Sequence, residues 1–545
     1  MTSDLGQPVT TGTQNNTYDA VVVGAGFSGL YMVHRLRELG LSVMGLEAGS
    51  DIGGTWYWNR YPGARTDTVH YLYCYTFSEE LRKEWRWKER FPPQAEMLEY
   101  FDFVADRLDL RRHFTFDTRV ASAHFDESST SWAVTTERGD VYTATYFIPA
   151  VGPLSTPNTP PIPGIETFEG EVLHTAQWPH EGVDFTGKRV AVIGTGSTGI
   201  QLIPHVAAEA KELTVFQRTP NYVAPARNEK VTEDEHNDVL DRYTEIIGQA
   251  RNHPFSSDFA FPTRSALEVD PAERERVYEL AWQKGGFHLL MDTFTDVSID
   301  LAANDTLAEF IRAKIRSIVR DEETARILTP VNYPYGAKRP PAGTNYYETF
   351  NRDNVSLVDI SQDGIDGIVG DGIVVADTVH EADVIVFATG FDAGTGTLNR
   401  MDIRGGDGVR LRDEWAHGPQ TYLGFGSPSF PNMLMVFGPQ TPFATVPPAV
   451  QQNVDWIVGC LRHMANHGYS RVEASTGAAQ DWTRTVIEAG DMSLVRHGAK
   501  VNSWFAGANI VGKPQVIVAY FGGANNYFDQ CDAVARAGYE GFDFS

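Results

Sequence analysis

The apolar positions of this chain fall twice into one order: a short apolar run, a glycine-rich turn, a segment of helical period, then a second apolar run. In the first copy Tyr18 to Val23 predicts a buried strand, followed by Gly24-Ala25-Gly26-Phe27-Ser28-Gly29. Leu30, Val33, Leu36 and Leu39 then share a helical face, Gly40 supplies the stop, and Leu41 to Leu46 predicts the next strand. In the second copy Val190 to Ile193 is the strand and Gly194-Thr195-Gly196-Ser197-Thr198-Gly199 the turn. Gly199 to Ile203 begins the helix, and Leu213 to Gln217 is the following strand. Strand-like runs recur at Ser131 to Thr136, Val141 to Pro149, Val384 to Phe387 and Met433 to Phe437. Helical spacing returns over Thr306 to Leu328, with Leu307, Phe310, Ile311, Ile315, Ile318 and Val319 apolar and Asn304 or Asp305 as N-cap. A last helix runs from Ala449 to His467, stopped by Gly468.

A strand, a glycine turn and a helix in register are the parts of a nucleotide site. The first glycine permits the turn, the second lets backbone N–H groups approach a pyrophosphate, and the third lets helix pack on strand. Gly24, Gly26 and Gly29 are therefore candidate contacts in one site, and Thr195, Gly196, Ser197, Thr198 and Gly199 in the other. The two differ at the end of the second strand. Glu47, eighteen residues past Gly29, is suited to accept hydrogen bonds from ribose hydroxyls and repels a 2′-phosphate. Arg218-Thr219, nineteen past Gly199, offers a guanidinium fork to that phosphate. One site thus suits FAD and the other NADP(H).

The expected fold is α/β, with two Rossmann-type dinucleotide-binding domains and a helical insertion in the NADP domain. Residues 1–17 read as a loose tail, and 18–153 and 390–545 as the two parts of the FAD domain. Residues 154–227 and 333–389 form the NADP domain, and the strand-poor, charged stretch 228–332 is the insertion. After the first nucleotide unit comes Gly53-Gly54-Thr55-Trp56-Tyr57-Trp58-Asn59-Arg60-Tyr61-Pro62-Gly63-Ala64-Arg65-Thr66-Asp67. It reads either as an aromatic surface loop or as close backbone approach to the far half of an extended FAD.

Composition narrows the partners. The 545 residues exceed one core, and 42% hydrophobic content is enough for several. A formal charge of −26 disfavours nucleic acid and anionic membranes, both polyanionic. Cys74, Cys460 and Cys531 have no zinc or C-x-x-C spacing, so no metal is expected and the thiols read as inert. No long apolar run predicts a membrane span, and the polar first residues do not resemble a secretory signal. A cytoplasmic monomer is the expectation.

Two longer strings carry a resemblance. Gly-Gly-x-Trp-x-x-x-x-Tyr-Pro-Gly-x-x-x-Asp is matched from Gly53 to Asp67, and Phe-x-Gly-x-x-x-His-x-x-x-Trp-Pro from Phe168 to Pro179. With both, the chain resembles the type I Baeyer–Villiger monooxygenases beyond its N-terminal tail. The resemblance implies NADPH- and O2-dependent conversion of ketones to esters or lactones through a C4a-peroxyflavin. It implies that Arg339 is the active-site cation and that Asp67 positions it. It also implies that Lys338 joins Arg218 and Thr219 at the NADP phosphate and that Trp504 bonds the nicotinamide nucleotide. Gly54, Thr55, Trp56, Tyr73 and Gln201 complete the cofactor contacts. His174 and Trp178 are expected as an interdomain strut. Pro153, Phe443, Val446 and Val511 are expected near the substrate. Oxygenation of amines or sulfides by a flavin-containing monooxygenase is the alternative. A disulfide-reductase chemistry fails for want of a cysteine pair after Gly54.

Overall fold

The computed structural model describes residues 16–545. The loose tail expected over residues 1–17 lies outside the described residues up to position 15, and Thr17 already opens the first strand.

Two sheets organise the chain. The first has seven strands in the order Asp402–Arg404, Val120–Asp126, Ser131–Thr136, Val141–Pro149, Thr17–Val23, Val43–Leu46, Phe114–Thr115. Thr17–Val23 pairs in parallel with both of its neighbours, Ser131–Thr136 and Val120–Asp126 add antiparallel beyond Val141–Pro149, and Asp402–Arg404 joins the edge in parallel. The second sheet is parallel throughout, in the order Val355–Asp359, Glu212–Gln217, Arg189–Ile193, Val384–Phe387, Glu171–His174. Its central strands are apolar on both faces, because one face packs on the helix Ser197–Glu209 and the helical region and the other on a three-stranded antiparallel sheet of Gly367–Val369, Gly372–Val375 and Thr378–Glu381.

The two nucleotide loops repeat one packing solution. Gly24 and Gly194 hold φ of +111° and +112°, and a Cβ on either would stand 2.6 Å from a carbonyl oxygen, that of Ala150 or of Ala388. The helices Phe27–Glu38 and Ser197–Glu209 follow at once. Leu30, Val33 and Leu36 are fully buried in a core shared with the helices Val446–His467 and Ala524–Arg536.

Residues 228–332 contain helices and no strand, and the short parallel pair Ala224–Pro225 with Ala342–Gly343 clasps the base of this region. Four local readings are corrected. The helix expected over Thr306 to Leu328 is two, Leu301–Ile318 and Glu322–Leu328. Asp321 breaks it by accepting the Thr324 N–H at 2.8 Å as a new N-cap. The first of these helices is capped by Asp300, not by Asn304 or Asp305; Asn304 is buried within it and bonds Val297 and Tyr335. Met433 to Phe437 is not a strand. It runs beside Val141–Pro149 through a single bridge, bounded by Asn432 and Phe437 at positive φ. The helix expected from Ala449 begins earlier, at Val446, because Pro447 and Pro448 are tolerated in a first turn that lacks N–H partners anyway.

Candidate active site

Between the two sheets lies a cavity of about 900 Å³. The first fingerprint lines it with Thr55, Trp56 and Asp67, followed by Tyr73. The second glycine loop adds Thr195, Gly196, Ser197, Thr198 and Gln201, and the strand after it Arg218 and Thr219. Lys338, Arg339 and Trp504 complete the wall together with Pro153, Phe443, Val446 and Val511. Folding therefore gathers candidates from seven separated segments. Gly24, Gly26, Gly29, Glu47, Gly54 and Gly199 stand behind the wall. Gly54, at φ +53°, backs onto Gly26, where an added Cβ would meet the Gly26 Cα at 2.7 Å.

Arg339 is the cation of the cavity. Its Nη2 donates to Asp67 Oδ2 at 2.5 Å, its Nη1 to Ser197 Oγ at 3.4 Å, and its Cζ lies 5.2 Å from the Phe287 ring centroid. Both members of the ion pair are about one-fifth exposed (22% and 19%), so the pair is only partly screened.

Lys338 and Arg218 form a second cationic group of a different kind. Burial, and then repulsion from Arg218, lower the Lys338 ammonium to about 8, and burial also lowers Arg218. No carboxylate offsets either charge among the described residues. Two desolvated cations beside an open glycine turn, with nothing within 4 Å of a Cβ placed on Gly196, fit a phosphorylated dinucleotide. At the other nucleotide loop Glu47 is buried, and its two oxygens accept the N–H groups of Ala25 and Gly49, each at 2.7 Å. Burial raises its carboxyl while these bonds oppose the rise. The remaining lone pairs suit ribose hydroxyls.

Gln201 lines the cavity while its amide ties the domains together: Oε1 accepts from Tyr61 at 2.9 Å and Nε2 donates to the Arg65 carbonyl at 3.1 Å. His174 is a clasp. Its Nδ1 accepts the Ala176 N–H at 3.0 Å, which leaves the proton on Nε2 to face the Asn158 carbonyl at 3.3 Å. Asn158 is also held by Thr389, and Pro157 bridges Phe391, so both chain crossings between the sheets meet here. Trp178 is buried and packs at a tilt on Phe185.

The sequence reading missed Phe255 and Phe287, both from the helical region. Phe255 lines the cavity, and Phe287 packs at a tilt on Phe255 and lies under the Arg339 guanidinium. The available signal was Gly285-Gly286, two consecutive positive-φ residues that turn the chain directly ahead of Phe287.

One glycine loop in the cavity wall, a second such loop in the neighbouring sheet and a paired arginine fit a two-dinucleotide flavoenzyme, and residues 18–256 match the flavin-binding monooxygenase-like family. A Baeyer–Villiger monooxygenase of Pseudooceanicola batsensis is 45% identical over 98% of this chain and 97% of its own length. The closed crystal structure of cyclohexanone monooxygenase aligns with a TM-score of 0.95 at 44% identity, covering 98% of this chain and 100% of that one. The OTEMO complex with FAD and NADP aligns at 0.93 and 40% identity, covering 97% and 99%. The chain belongs to the type I Baeyer–Villiger monooxygenase family.

Proposed function

We propose that Arg339, positioned by Asp67, carries the oxygen-insertion step of an FAD- and NADPH-dependent enzyme that converts ketones to esters or lactones with O2. The observation that supports this most directly is the Arg339 guanidinium in the cavity wall, paired with Asp67 as its one carboxylate partner among the described residues. Bound FAD, reduced by NADPH, supplies the activation of O2. The chain supplies the rest. The Arg339 guanidinium cation stabilises negative charge as it develops on oxygen at the reacting carbonyl. Asp67 fixes one edge of the fork and leaves the remaining donors directed elsewhere. Phe255, Phe443 and Val446 give the cavity an apolar wall, which strengthens these charge interactions and keeps water from competing.

Lys338 and Arg218 are the residues to hold the 2′-phosphate, Glu47 the FAD ribose, and Trp504 the nicotinamide end. A monomer in the cytoplasm is the accompanying reading. No helix among the described residues is long and apolar enough to cross a membrane.

The test is oxygen consumption by FAD-loaded protein with NADPH and a panel of linear, cyclic and aryl ketones, with products identified by mass. Ester or lactone formation that is lost in Arg339→Ala while flavin reduction persists supports the reading. Hydrogen peroxide alone with every ketone refutes it.

A further inference from the structure

We propose that Phe287 is a positioning residue for Arg339, its ring face holding the guanidinium plane while Asp67 and Ser197 hold the edges. The inference rests on the catalytic assignment of Arg339 made above. Three observations carry it. The Arg339 Cζ lies 5.2 Å from the Phe287 centroid, within range of a cation–π contact. Phe287 is buried (4% exposed) and packs directly behind two residues of the cavity wall, Phe255 and Arg339. Its own place is fixed on both sides. Gly286 donates to the Pro225 carbonyl at 2.8 Å, and Phe255 packs on the ring at 5.4 Å between centroids.

The turn that delivers Phe287 tolerates only glycine. Gly285 has φ +76°, and a Cβ there would meet the Pro225 carbonyl oxygen at 2.3 Å. The electrostatic logic explains why a ring serves here better than a second acid. A carboxylate beneath the guanidinium would cancel the positive field that the reaction uses. The π face attracts the cation through its quadrupole and leaves the net charge intact. With Asp67 alone, one bidentate-capable fork is held at a single nitrogen and is free to swing about that bond. The ring removes this freedom. Through Phe255, which contacts Phe443, the platform also ties the helical region to the opposite wall of the cavity.

The experiment compares FAD-loaded wild type with Phe287→Leu, Phe287→Met and Phe287→Tyr. One readout is the rate of Arg339 modification by phenylglyoxal, followed by peptide mass spectrometry. The other is ester formed per NADPH consumed. The expected result for Leu and Met is Arg339 modification faster by roughly three- to tenfold and ester per NADPH lower by a similar factor. KM for NADPH stays unchanged, and Tyr, which keeps the π face, preserves both readouts. Met, unbranched and flexible, refills the space of the ring differently from Leu, so it decides the matter if Leu folds poorly. Unchanged modification in Leu and Met, or a Tyr variant that behaves like Leu, overturns the platform. Ester formation surviving in Arg339→Ala instead overturns the catalytic assignment, while the modification rate still decides whether Phe287 holds the guanidinium.

Discussion

Arg339 and Asp67, 272 positions apart in the chain, meet at 2.5 Å between Nη2 and Oδ2. The geometry places a carboxylate on one nitrogen of the guanidinium and leaves the others for Ser197 and for bound groups. Asp67→Ala should therefore keep the cation and lose its orientation. A hydrogen bond to a charged group contributes about 1.5–3 kcal/mol, so ester formation should fall roughly ten- to a hundredfold. Stopped-flow flavin reduction, which does not need this pair, should change little. Arg339→Lys should not restore activity, since an ammonium cannot fill a two-edged fork site. Equal loss of reduction and of ester formation would show that the pair acts earlier than proposed.

Lys338 and Arg218 should set the cofactor preference. In Lys338→Ala, KM for NADPH should rise about ten- to a hundredfold, while kcat/KM for NADH, which lacks the phosphate, stays within about twofold. An equal loss for both nicotinamides would place Lys338 elsewhere than at the phosphate.

The lowered Lys338 ammonium also gives a pH dependence. With its pKa at about 8, the free site holds its proton at pH 7 and loses it as the pH rises toward 9. A protonated lysine binds the dianion, so NADP+ affinity should fall over that interval and binding near pH 8 should take up protons. Calorimetry in buffers of different ionisation enthalpy measures the uptake. Lys338→Met should abolish it, and uptake retained in that variant would assign the titration to another group.

Acid should destabilise the fold through buried imidazoles. Burial lowers His174, His236 and His253 and takes His70 down to about 4. Between that value and the ordinary imidazole pKa near 6.5, the unfolded chain binds protons that the folded chain resists. Stability is therefore present above about pH 6.5 and is lost as the pH falls toward 4. Thermal melts from pH 7.5 to 5 should show the decline, with a shallower slope in His70→Gln. An identical slope would exclude His70 as a contributor.

His174 should act on geometry and not on chemistry. His174→Ala removes the clasp on Asn158, where both chain crossings between the sheets meet. Melting temperature and ester per NADPH should both drop, while the pH profile of turnover keeps its shape. His174→Asn, whose amide offers a donor and an acceptor, should recover part of the loss. A pH profile that loses a limb in His174→Ala would give the imidazole a proton-transfer role instead.

Much of this protein is determined by local sequence. Each glycine loop requires a backbone that only glycine adopts, as at Gly24 and Gly194, and the apolar runs on either side have the length and period of buried strands. Glu47 and Arg218 differ in charge at equivalent positions, so the two nucleotide preferences were legible before any packing was known. The gathering of Asp67, Ser197, Arg339 and Trp504 around one cavity followed only from the motif resemblance, and only the fold sets their distances. Other features had no local signal. Asp300 and Asp321 each cap a helix by accepting the N–H three residues on, and Asn304 was drawn into the core by Val297 and Tyr335. Phe287 looks like any core aromatic in the sequence. Its contact with Arg339 exists because a two-glycine turn, pinned to Pro225, carries a helical region across to the second sheet. Periodicity encodes which face of an element is buried, and tertiary structure alone decides what that face meets.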